Sequence, residues 1–156
     1  EMRRELGIPV ESVGDPRAAA LASDICVTCT PSRKPLLGAG DVRPGTFVAG
    51  VGADNEDKQE LGPDLFGRAK VVVDDLEQCA RIGDLHHALQ QGVVTRESVH
   101  AELVDLVAGR RCGRASSEEI TLFDSTGVAL EDVAAAVALY SKALESGAGT
   151  RLAFGS

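Results

Sequence analysis

With 156 residues, 44% of them apolar and 26% charged, the chain has the composition of one globular domain. It can bury roughly two-thirds of its unfolded surface. Sixteen Lys and Arg against 24 Asp and Glu leave a net charge of −8, which argues against a nucleic-acid backbone as partner, and no apolar run approaches the ~18 residues of a membrane span.

The chain opens on a helix-like stretch, Glu1 to Leu6, that Gly7 would end. No apolar signal segment follows Glu1, and the chain reads as a fragment of a longer protein. Ile8 to Val13 is a short strand candidate. Asp15 and Pro16 then start a helix, as N-cap and first helical residue, that ends near Ala22. Asp24 to Thr30 is an apolar, β-branched run, the mark of a strand buried on both faces. Ser32 to Gly45 reads as a Pro/Gly/basic loop. Thr46 to Ala53 is the next buried strand, and Asp54 to Lys58 is a polar segment behind it. Leu61 to Phe66 suggests a short helix, and Ala69 to Val73 a third strand. Leu76 to Ile82 and Leu85 to Gln91 read as helices, the second closed by Gly92. Val99, Leu103, Leu106 and Val107 recur at helical spacing. Ile120 to Phe123 is a fourth buried strand. Leu130, Val133, Val137, Tyr140 and Leu144 mark a long helix, with Glu131 and Asp132 in its first turn and Gly147 at its end. Thr150 to Phe154 is a last strand candidate.

Alternating strands and helices imply an α/β fold, mostly parallel, with helices on both faces. Ligands in such sheets bind beyond the carboxyl ends of the strands. Here those ends are Thr28–Ser32, Gly52–Lys58, Asp74–Glu77 and Asp124–Gly127. Asp54 can serve there as acid, base or amine acceptor, or simply cap its loop. Lys58 is either a cofactor or carboxylate partner or a solvated lysine. Ser125, Thr126 and Gly127 offer free backbone N–H groups at the start of a helix, or plain caps. Thr28, Thr30 and Ser32 line another strand end. Cys26 and Cys29 lie three apart on a strand and face opposite ways, so no metal site is expected from them or from His86, His87 and His100. All four cysteines, with Cys79 and Cys112, read as reduced cytoplasmic thiols. The phosphate-cradling G-x-G-x-x-G is missing between any strand and helix.

The collinear set ASDICVTCTPSRKPLL (Ala22–Leu37), RPGTFVAGVGADNEDKQEL (Arg43–Leu61), KVVVDD (Lys70–Asp75), GDLHHAL (Gly83–Leu89), ITLFDSTGVALEDVAAA (Ile120–Ala136) and GAGTRLAF (Gly147–Phe154) resembles the C-terminal half of the ornithine cyclodeaminase/μ-crystallin family. The resemblance implies a Rossmann-like NAD(P) domain lacking its N-terminal glycine-fingerprint unit. Residues 1–147 would be that partial domain, and 148–156 the start of a return segment to a substrate and dimerisation domain. The implied chemistry is hydride exchange between nicotinamide and the Cα of an amino acid or cyclic imine, in a homodimer. Asp54 matches the catalytic aspartate that holds the substrate amine or water. Thr28, Val51, Gly52, Ala53, Lys58 and Ser125 match cofactor contacts, and Thr126 lies where the substrate side chain approaches. The residue that separates NAD from NADP, and the family's substrate-binding lysine and arginine, are not among these residues. The alternatives are a non-catalytic μ-crystallin-like binding protein and an inactive fragment.

Overall fold

The computed structural model describes residues 2–150 and 152. The chain divides into two units, Glu1–Thr126 and Gly127–Ser156. In the first, α1 (Met2–Leu6) is followed by α2 (Pro16–Leu21). Asp15 caps α2 by accepting from the backbone N–H of Arg17 and Ala18, and Pro16 takes the first turn, as the sequence predicts. Strand β1 (Ile25–Thr28), β2 (Arg33–Leu37), β3 (Phe47–Gly50) and β4 (Gln59–Leu61) come next. Helix α3 (Pro63–Phe66) precedes β5 (Lys70–Val73). Then follow α4 (Leu76–Ile82), α5 (Asp84–Gln90), β6 (Ala101–Glu102), α6 (Leu103–Val107) and β7 (Thr121–Asp124). The second unit holds α7 (Ala129–Ser146), ended by Gly147 at φ 66°. Only a residue without Cβ adopts that left-handed conformation freely.

Five strands form one sheet in the order β1-β3-β7-β5-β6, and every pairing is parallel. Parallel neighbours need long crossovers, which the helices and loops between them supply. One sheet face carries Cys26, Val48, Val71, Val73 and Leu122, packed with Ala20, Leu65, Phe66, Cys79, Leu85 and Ala88 of α2, α3, α4 and α5. The other face carries Phe47, Val72 and Phe123. With Leu103 and Leu106 of α6, these residues line a cavity of about 260 Å³. Helices therefore lie on both faces, in the Rossmann-like arrangement expected.

Six expectations fail, the first five for a tertiary reason. Ile8 to Val13 is not a strand. It joins neither of the two sheets, and without a ladder alongside it an extended segment is not a strand. β1 is not buried on both faces. It is an edge strand, and its Ile25 and Val27 are 66% and 63% exposed. The supposed loop Ser32–Gly45 contains β2, which pairs in parallel with β4 in a separate two-stranded sheet. Its Pro35 hides it in the sequence, yet proline is tolerated where no ladder donor is needed. For the same reason Leu61 belongs to β4, and helix α3 begins only at Pro63. The stripe from Val99 to Val107 is not one helix. Ala101 pairs with Val72 and Glu102 with Val73, so sheet pairing overrides helical periodicity. At the C-terminus, Thr150 and Leu152 carry no strand, and the rest of Thr150–Phe154 lies outside the described residues.

Candidate active site

Register places Thr28, Gly50, Asp124 and Val73 side by side at the carboxyl ends of β1, β3, β7 and β5. All the residues expected in the site except Lys58 sit on these strand ends or within four residues of them, and Lys58 follows on the β3 rim. Backbone bonds lock the rims together. Val51 N–H donates to the Thr28 carbonyl at 2.9 Å, and Ser125 N–H to the Gly50 carbonyl at 2.9 Å.

Beyond β3 the chain passes through Val51, Gly52 and buried Ala53 to Asp54. Asn55 forms a tight turn there. Its Nδ2 donates to Asp54 Oδ1 at 3.0 Å, and its Oδ1 accepts from Asp57 N–H at 3.1 Å. Lys58 Nζ reaches Asp54 Oδ1 at 2.8 Å. This hydrogen bond, more than any other influence, holds the Asp54 carboxyl below its usual range. Asp54 is more than half exposed and remains a carboxylate at neutral pH. It can accept from an ammonium, an imine N–H or a water. Of the two readings of Lys58, the pairing with Asp54 is the one realised. His87 of α5 fixes the same turn, its Nε2 donating to the Lys58 carbonyl at 2.8 Å.

Thr28 is buried, and its Oγ1 has no hydrogen-bond partner among the described residues. Such a hydroxyl costs about 1–3 kcal/mol. That cost points to a group, cofactor or protein, that completes it.

Ser125 and Thr126 do not offer the free N–H groups expected of them. Ser125 N–H is spent on Gly50, and Thr126 N–H on Asp74 Oδ2 at 2.8 Å. The Ser125 hydroxyl donates to Asp74 Oδ2 at 3.1 Å. Gln78 Nε2 donates to Thr126 Oγ1 at 2.8 Å. Neither residue caps α7, whose N-cap is Val128. Asp74 thus pins the β7 rim to the β5 rim, and both hydroxyl oxygens keep acceptor capacity.

Three buried carboxylates escape a sequence reading. Glu60 of β4 is fully buried and accepts from Thr30 N–H at 2.5 Å and Gly52 N–H at 2.9 Å. Asp84 Oδ1 accepts from the N–H groups of Glu60 at 2.8 Å and Leu61 at 3.1 Å. Asp124 accepts from Leu85 N–H at 2.8 Å and Asp84 N–H at 3.3 Å. Burial pushes Asp84 up to about 6 and Asp124 up to about 8, the latter raised further by Asp84. The available signal was an acid inside or closing an apolar run, as in Glu60-Leu61 and Phe123-Asp124.

Cys26 is buried, Cys29 is exposed, and all four cysteines are free. Among the described residues no cluster of three or more His, Cys, Asp or Glu is placed to hold a metal ion. No helix among them is long and apolar enough to cross a membrane.

Comparison with known proteins places this geometry. The family model "Ornithine cyclodeaminase/mu-crystallin family" matches residues 1–147. Alanine dehydrogenase of Archaeoglobus fulgidus is 45% identical over 139 residues, covering 89% of this chain and 43% of the relative. The structure of Thermococcus litoralis Delta(1)-pyrroline-2-carboxylate reductase in complex with NADH and L-proline is 38% identical with a TM-score of 0.91. It is matched over 97% of this chain and 47% of that one. An archaeal alanine dehydrogenase dimer with bound NAD is 42% identical with a TM-score of 0.87, matched over 99% and 48%. The chain spans less than half the length of the curated relatives it matches. The family match over residues 1–147, with a relative 45% identical, shows that the chain belongs to the ornithine cyclodeaminase/μ-crystallin family.

Proposed function

We propose that the chain is the cofactor-binding part of an NAD(P)-dependent amino-acid or imine enzyme. The carrying observation is Asp54, an exposed carboxylate held ionised by Lys58 at the end of a central strand. Relatives bound to NAD, or to NADH with L-proline, support the cofactor and substrate classes. When bound, the nicotinamide supplies or accepts the hydride. Thr28, Val51, Gly52, Ala53, Lys58 and Ser125 would hold it, with Thr28 Oγ1 as the group still lacking a partner. Lys58 has three donors, so its bond to Asp54 leaves it able to bond the cofactor as well. Asp54 and Thr126 then face the substrate, and Asp54 receives an N–H of the amine or imine, or orients a water. Residues 1–147 form the partial NAD(P) domain, and 148–156 begin the return to a substrate and dimerisation domain. A homodimer in the cytoplasm, with reduced thiols, completes the reading.

Steady-state assay of the full-length protein with amino acids, cyclic imines and either cofactor tests it. Net change in nicotinamide absorbance marks a dehydrogenase or reductase. Ammonia release without net change marks a cyclodeaminase. Cofactor binding with no turnover on any of these would overturn the enzyme and favour a μ-crystallin-like binder.

Lys58 makes a separate prediction. Replacing Lys58 by Met removes the bond that lowers the Asp54 pKa. The acid limb of kcat/KM, where Asp54 takes up its proton, then moves to higher pH. An unmoved limb would remove Asp54 as the titrating group.

A further inference from the structure

We infer that Glu60 is a positioning residue for Asp54, an inference that rests on the active-site reading above. Asp54 itself is exposed and sits in a turn. Its geometry is therefore only as good as the anchoring of Val51–Ala53, the backbone that leads into it. Val51 is tied to β1 by its own N–H. Gly52 is tied by Glu60, one oxygen of which accepts Gly52 N–H while the other accepts Thr30 N–H. One carboxylate therefore clamps the two rims that flank the candidate cofactor site.

The clamp is itself held from behind. Asp84 binds the backbone N–H of Glu60 and Leu61, and Asp124, at the end of β7, binds the N-terminal N–H groups of α5. Side chains thus run in sequence from β7 through α5 and β4 to the Asp54 loop. The fit is close. A Cβ on Gly52 would stand 2.6 Å from Glu60 Cδ, Glu60 Oε2 and Thr30 N, a distance real side chains do not adopt. Only glycine lets the backbone approach the carboxylate this nearly.

A carboxylate suits this task and an amide does not. Two facing N–H donors need two acceptor oxygens, and Gln supplies one acceptor and one donor. Glu60→Gln keeps size and shape but sets an N–H₂ against one backbone N–H. One rim must then move.

The test is a double-mutant cycle in the full-length protein, with kcat per active site counted by cofactor titration. Glu60→Gln is expected to lower kcat at least tenfold, with a smaller change in KM. Asp54→Asn lowers it further. The decisive result is in the double variant: Glu60→Gln costs little once Asp54 is gone, because what it positions is absent. An equal fold-loss in both backgrounds would overturn the inference in favour of a merely structural role, and so would unchanged kcat in Glu60→Gln. If Glu60→Gln does not fold, Glu60→Asp, which keeps both oxygens on a shorter stem, is read the same way. Failure of both to fold overturns the positioning role. If Asp54→Asn alone leaves turnover intact, the active-site reading fails instead, so the two failures are distinct.

Discussion

Replacing Asp54 by Asn in the full-length protein lowers kcat by about 10²–10⁴-fold, while cofactor affinity changes by no more than a few-fold. The amide keeps the size of the side chain and its bond to Lys58 through the remaining oxygen. It loses the charge. A neutral amide can neither take up a proton nor stabilise a cationic amine or iminium at the reacting carbon. The loss therefore falls on turnover. Cofactor affinity is largely spared because the proposed contacts at Thr28, Val51–Ala53 and Ser125 come from three strand ends that do not move, and Lys58 keeps its bond to the amide oxygen. Single-turnover kinetics beside a fluorescence titration with reduced cofactor separates the two quantities. Turnover within a factor of three of the parent would remove Asp54 from the chemistry.

The second large effect is on stability. Burial raises Asp124 from 3.8 to about 8 and Asp84 from 3.8 to about 6. The folded state therefore holds protons that the unfolded chain releases above pH 3.8. Their stabilising contribution is complete below that pH and is lost as pH rises through the folded values, first for Asp84 and then for Asp124. Each proton held only by the folded state is worth about 1.4 kcal/mol per pH unit within its window. The melting temperature of the full-length protein is thus expected to fall between pH 6 and pH 8.5. Asp124→Asn, a neutral stand-in for the protonated acid, flattens that fall. A melting temperature independent of pH over this range would contradict the burial argument. The two carboxyls influence each other, so the observed midpoints belong to the pair.

These two expectations come from unequal depths of the sequence. The place of Asp54 beyond a strand end was legible, because it follows an apolar run, and that place is what made it a candidate. Four strands and the long helix were legible for the same reason: apolar run length and the periods of 3.6 and 2 are local properties. So were Asp15-Pro16 and Gly147, whose backbone roles depend on neighbours only. Glu60, Asp84 and Asp124 were not, because an acid in a sequence looks the same whether solvent or a backbone amide receives it. β2 was hidden by Pro35, and β6 by a stripe of valines and leucines that suited a helix equally well. Both strands exist through partners about 25–30 residues away, which local pattern does not register. Ser125 and Thr126 were placed on the correct rim but given the wrong hydrogen bonds, since Asp74 arrives from another strand.

The position of β7 has a consequence for synthesis. It lies at the centre of the sheet, between β3 and β5, yet it is the last of the five strands to be made. Its partner positions on β3 and β5 lie roughly 70 and 50 residues upstream. Until Asp124 leaves the ribosome, β3 and β5 each present an unsatisfied edge with no neighbour to close it. Contacts of such long separation form slowly. The nascent chain therefore spends its vulnerable period with two apolar edges open, the state in which chaperones and aggregation compete. One central strand then closes the sheet and, through Asp124, completes the hydrogen bonds at the start of α5.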